Sequence, residues 1–179
     1  MRYRSESRSH AEGFTLVEVM ATVAILAVLV MLAGPRFGTM IQRMRTTTLT
    51  NELVTSLNYA RSEASRRGLP VSLCPAGANG EWEEGWTVTT GDDCAAGEVL
   101  RIWDPPPASL LFIPLDGDGG QVEAVTFGPL GQRVSPAATF NMGFDGCEGE
   151  SARRVGIGAG GRVGVTYIEC QWLTELGHE

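Results

Sequence analysis

The stretch "EGFTLVEVMATVAILAVLVMLAGP", Glu12–Pro35, decides how the rest of this 179-residue chain is read. From Phe14 to Ala33 it holds 20 residues and one charge, Glu18. A helix needs about 20 mostly apolar residues to cross the hydrocarbon core of a bilayer. The run has no polar face, so it reads as a membrane-spanning helix rather than the half-buried helix of a globular core. Ahead of it stands a polar leader, residues 1–13, "MRYRSESRSHAEG". A secretory signal peptide has the opposite order, with its apolar core before a small-residue cleavage site. Arginines flank the run on both sides, so positive charge alone does not orient it. An ionisable group inside such a span marks a functional site, and Glu18 is that group.

Helical periodicity continues past Pro35. Phe37, Met40, Ile41, Met44, Leu49, Leu53, Leu57, Ala60 and Ala64 recur at three- and four-residue spacing, which predicts one apolar stripe. Glu63 and Arg67 form an i,i+4 pair of the favourable order, and Gly68 followed by Pro70 is a stop signal. A single helix from Phe14 to Arg67 would be roughly 80 Å long at 1.5 Å per residue. Gly34-Pro35 is expected to kink or locally melt it, because proline removes a backbone donor and crowds the preceding turn. The reading is therefore a transmembrane half, residues 14–35, and an amphipathic half, residues 36–68, that packs on a head formed by residues 69–179.

The head changes character. Short β-rich runs, among them "PVSLC", "GWTVTT", "EVLRIW", "SLLFIPL", "ATFNMGF" and "RVGVTYI", are separated by Gly, Pro and Asp clusters, which predicts an antiparallel sheet of about seven strands. The fold class expected is α+β: one long N-terminal helix against a β head. Trp82 and Trp86 are read as core residues where sheet meets helix. Gly160-Gly161 is read as a strand-to-strand turn, since no helix follows to offer its N-terminus to a phosphate. "DGDGG", Asp116–Gly120, departs from the EF-hand pattern and is read as a turn.

Charge and cysteines bound the function. All 14 basic residues are arginine, and the net charge is −7. Between Pro35 and Gly68 six arginines face Glu52 and Glu63; from Leu69 onward five arginines face sixteen acids. That balance argues against a dedicated nucleic-acid binder. Cys74, Cys94, Cys147 and Cys170 all follow the apolar run, which suggests two disulfides out of three connectivities. Pairing of sequence neighbours, Cys74 with Cys94 and Cys147 with Cys170, is expected. Disulfides place the head in an oxidising compartment such as the periplasm and the leader on the opposite side of the membrane. There is no C-x-x-C pair, and His178 is the one histidine beyond the leader, so no metal and no cofactor is expected. Neither a nucleophile elbow nor a phosphate-binding loop occurs, so no enzyme is expected.

Gly13, Phe14 and Glu18 in "GFTLVE", the apolar run behind them and Pro35 together resemble the start of type IV pilins and pseudopilins. The resemblance implies that a prepilin peptidase cuts between Gly13 and Phe14 and that Phe14 is N-methylated. It also implies a bacterial inner-membrane protein with a periplasmic head, later part of a pilus or pseudopilus. Glu18 then lies about one helical turn from the new amine and would neutralise it, or that of a neighbouring subunit, during assembly. "LNYARSEASRRGLPVSLC" (Leu57–Cys74), "EWEEGWTV" (Glu81–Val88) and "RRVGIGAGGRV" (Arg153–Val163) resemble the FimT/GspH group of minor pilins and pseudopilins. What this implies is a subunit of the tip or priming complex of a type IV pilus, with other pilins as partners. The alternatives are a minor pseudopilin of type II secretion and a DNA-binding pilin. For DNA the closing turn would supply Arg162, with Arg153 and Arg154 nearby, although Gly164 stands where a second basic residue is expected.

Overall fold

The computed structural model describes residues 14–171, except for the side chains of residues 32–37; Gly13 and the leader lie outside the described residues. Two compact units divide the chain after Gly38. In the first, Thr15 starts the helix α1 (Leu16–Arg67). Its carbonyl accepts from the amides of Glu18 and Val19, and its hydroxyl accepts from Glu18 N–H at 3.3 Å. The threonine hydroxyl thus adds a second acceptor to the carbonyl for the Glu18 amide at the start of the helix. Leu16, Val17, Met20, Leu26 and Met31 stay exposed. Of the kink or local melting expected at Gly34-Pro35, melting does not occur: the backbone is helical through both residues. Proline withdraws one amide donor there, and the neighbouring donors keep the helix going.

In the second unit α1 supplies one face of the core. Leu49, Leu53, Leu57, Ala60 and Ala64 are buried against the strands. Met40, Ile41 and Met44, expected on the same stripe, are exposed, and the side chain of Phe37 lies outside the described residues. The apolar cover begins only near Thr46. Before it the head reaches the helix through polar groups: Arg45 donates to Ser109 Oγ (3.3 Å), which donates to Gln42 Oε1 (3.4 Å). The buried hydroxyls of Thr46 and Thr50 donate to the carbonyls four residues back, so neither is left unpaired. Such back-bonding lets small polar residues sit inside a helix core.

Among the described residues eight strands follow, where the sequence predicts about seven. They are β1 (Val71–Pro75), β2 (Trp86–Thr90), β3 (Val99–Trp103), β4 (Leu110–Asp116), β5 (Val125–Phe127), β6 (Ala138–Phe144), β7 (Ala152–Ile157) and β8 (Val163–Ile168), with a 3₁₀ turn at Trp82–Glu84. They form two antiparallel four-stranded sheets, ordered β3-β2-β1-β5 and β4-β6-β7-β8. The hydrophobic runs had not revealed this division. Val71, Leu73 and Val88 from the first sheet and Phe112, Phe140, Met142 and Val155 from the second meet the helix in one core. Each large side chain buried there contributes about 1.5–3 kcal/mol.

Candidate functional site

The N-terminal site is the first turn of α1. Phe14 is exposed and directly precedes the capping Thr15; Glu18 is the third residue of the helix and is exposed as well. Thr15-x-x-Glu18 therefore matches a capping pattern, a local signal that the lone charge at Glu18 masks in the sequence. A carboxylate there also faces the positive end of the helix dipole. Glu18 thus has a local reason to occupy this turn besides any partner it meets. Among the described residues, no helix is long and apolar enough to cross a membrane.

The landmark around the tryptophans is structural. Trp82 is buried, donates its Nε1–H to Val122 O at 2.6 Å and meets Phe140 edge-on at 5.0 Å. Trp86, fully buried, stacks on Phe112 at 5.7 Å. Gly85 between them has φ +96°, and a Cβ there would come within 2.5 Å of Trp103 O. The chain passes too close to the end of β3 for any side chain.

The head carries the disulfides Cys74–Cys94 and Cys147–Cys170. The first ties β1 to the loop between β2 and β3. The second closes over Ala152, Leu111, Ile113 and Ile168 on the side of the second sheet away from the main core. At the C-terminal end of α1, Glu63 accepts from Arg66 Nε (3.0 Å), Arg66 Nη2 (2.6 Å) and Arg67 Nε (2.8 Å). The Arg66 hydrogen bonds, followed by those of Arg67, hold its carboxyl down at about 2 against an ordinary 4.5. Glu81 is lowered too, chiefly by the side-chain and then the backbone amide of Asn79. In "DGDGG", Asp116 Oδ1 accepts from the amides of Asp118 (2.9 Å) and Gly120 (2.7 Å), so that carboxylate serves its own turn.

The closing turn runs from Gly158 to Arg162, closed by Gly158 N–H to Arg162 O (3.0 Å) and Gly161 N–H to Gly158 O (2.9 Å). The three arginines named from sequence are not gathered there. Arg162 is exposed on the turn. Arg153 lies with its guanidinium 3.9 Å from the Tyr167 ring centre and donates to Thr47 Oγ1 (3.1 Å). Arg154 donates to Asn141 Oδ1 (2.7 Å). Adjacent residues of a strand point to opposite faces, which keeps Arg153 and Arg154 apart. Two residues that sequence reading did not connect with the turn do meet it, Arg61 with its side chain and Arg133 with its backbone amide only. Arg133 N–H donates to Ala159 O (3.0 Å), and Arg61 Nε lies 3.2 Å from where a Gly161 Cβ would be. Only long-range packing brings residues 61, 133 and 162 together, so no local spacing announces them.

A long helix capped ahead of an acid in its first turn, continuing into a two-sheet antiparallel head, is the architecture of a pilin-type subunit. Residues 49–161 match the family described as type II transport protein GspH, and residues 8–34 match the prokaryotic N-terminal methylation motif. The chain belongs to the GspH family of minor pilins and pseudopilins, and its methylation motif implies processing by a prepilin peptidase. Among solved structures it is similar in fold to the type IV minor pilin FimU of Pseudomonas aeruginosa. The TM-score is 0.51 at 24% identity, over 67% of this chain and 91% of that one. A second crystal form of FimU gives 0.49 and 23%, over 74% and 90%. No curated protein matches the chain.

Proposed function

We propose that this protein is a minor pilin of the tip or priming complex of a type IV pilus, anchored in the bacterial inner membrane by residues 14–33 with its head in the periplasm. The prepilin peptidase cleaves between Gly13 and Phe14, and the new N-terminus at Phe14 is methylated. The observation that carries this reading is the methylation motif at residues 8–34 leading on one helix into the family domain at residues 49–161. Glycine before the cut suits a site where extended backbone must come close to catalytic groups. After cleavage the amine of Phe14 lies at the start of the capped turn that holds Glu18. An unpaired charge costs several kcal/mol in an apolar medium, so the acid recruits an amine, its own or that of a neighbouring pilin. That pairing sets the axial register between subunits.

The experiment is mass spectrometry of the native protein together with Glu18→Val. The expected mature chain starts at N-methylated Phe14, and the variant is still cleaved but no longer co-purifies with its partner pilins. A native chain starting at Met1, or normal co-purification of the variant, sinks the reading. A minor pseudopilin of type II secretion shares all these features; secretion lost and piliation kept on deletion would select it.

One observation supports a second reading, DNA binding at the closing turn. The Arg61 side chain meets the turn that exposes Arg162, and among the described residues neither arginine has a salt bridge to a carboxylate; Arg133 meets the turn through its backbone amide, while its guanidinium donates to Ser135 O. Phosphate binding needs several cations acting together, and its affinity falls steeply with salt. A gel shift at low salt that disappears with Arg162→Ala would support it; no shift would dismiss it.

A further inference from the structure

The two sheets have four edges, and three of them are blunted. β3 carries the exposed charge Arg101 and a register shift in its pairing with β2. β4 contains Pro114, which lacks a backbone donor. β5 is three residues long, and the Phe127–Arg133 bridge covers it, helped by Val134 N–H donating to Thr126 O. Charge, proline, irregularity and cover are the devices by which sheet edges avoid pairing with other chains. β8 has none of them. Its six residues, "VGVTYI", hold no charge and no proline, and it pairs with β7 in unbroken register from Val163↔Ile157 to Ile168↔Ala152. Among the described residues no strand lies beyond it. Val165 is 45% and Tyr167 64% exposed.

We infer that β8 is an interaction edge that pairs antiparallel with the β8 of a second copy. The charges flanking the strand choose the direction. Arg162 precedes it and Glu169 follows it, so antiparallel pairing brings each arginine towards the other copy's glutamate, whereas parallel pairing would align like charges. A two-fold axis normal to the sheet keeps the side-chain faces in step. Val165 then meets Val165 of the second copy, and Val163 meets Tyr167 of the second copy. Each surface is its own complement, as a two-fold interface requires. Main-chain hydrogen bonds supply affinity, and the alternate apolar side chains set the register.

Sedimentation of the full chain in mild detergent tests this. A concentration-dependent dimer is expected. Val165→Lys should weaken it by at least about tenfold, because like charges directly opposite destabilise an antiparallel pair. Circular dichroism verifies that the variant folds. If it does not, oxidative cross-linking decides: Val165→Cys should give a covalent dimer, while Val99→Cys, on the blunted β3 edge, should not. A chain that stays monomeric throughout leaves this edge empty or takes a strand from a different protein, and overturns the inference. So does a dimer indifferent to Val165→Lys, or equal cross-linking from both cysteines.

Discussion

Gly161 has φ +76°, and a Cβ on it would lie 1.9 Å from Gly131 O and 3.2 Å from Arg61 Nε. The adjacent Gly160 has no such φ and nothing within 4 Å of its Cβ position. Two glycines that look alike in sequence therefore differ in what they permit. Gly161→Ala should destabilise the head by about 3 kcal/mol, from a left-handed backbone plus a clash with main chain that cannot swing away. Gly160→Ala should stay within about 0.5 kcal/mol. Melting curves of the two variants check this; equal midpoints would refute it. Sequence reading recognised the turn but could not rank its glycines, because the atom that excludes a side chain at Gly161 belongs to a loop 30 residues away.

At the scale of the element, α1 shows how far periodicity reaches. Its stripe was legible from Leu49 to Ala64, where strands cover it, and misleading at Met40, Ile41 and Met44, where none does. Spacing shows which residues share a face; it does not show how far a partner extends along it. The C-terminal end was legible as a Glu63–Arg67 pair, but Arg66 adds the two-pronged grip and Arg67 Nη1 also approaches Glu98 at 3.7 Å. Because Glu63 titrates lower folded than unfolded, its contribution is present in full above about 4.5 and is lost as pH falls towards about 2. Glu63→Gln should therefore lower the melting temperature near neutral pH and converge with the parent chain as that window is crossed. A gap that stays constant down to the lower limit would show that the ion pairs are not its source.

Across the whole molecule, the division of labour follows composition. The apolar run and the basic stretch behind it belong to the helix, while sixteen acids and both disulfides belong to the head. The disulfides close loops of separation 20 and 23 residues. Loops of that size stabilise a fold by roughly 3 kcal/mol each in the chain-entropy account. They suit a head whose two sheets have no hydrogen-bonded strand pair in common and meet through side chains in one core. Of the candidate site, Phe14 and Glu18 were legible because a lone charge in a greasy run stands out. Thr15 beside it carries only a short capping pattern, and Arg61 and Arg133 have no local signal at all.

Sequence by itself determined the helix, its apolar first half, the acid in its first turn, the β character of the head and the family to which these belong. All of these are written in local spacing, which the geometry of a helix or a strand converts directly into a face. Only the tertiary structure decided that eight strands split into two sheets, which glycine must lack a side chain, which arginines meet the closing turn and which edge is left open. Those depend on contacts between residues far apart in the chain, and no local period encodes them.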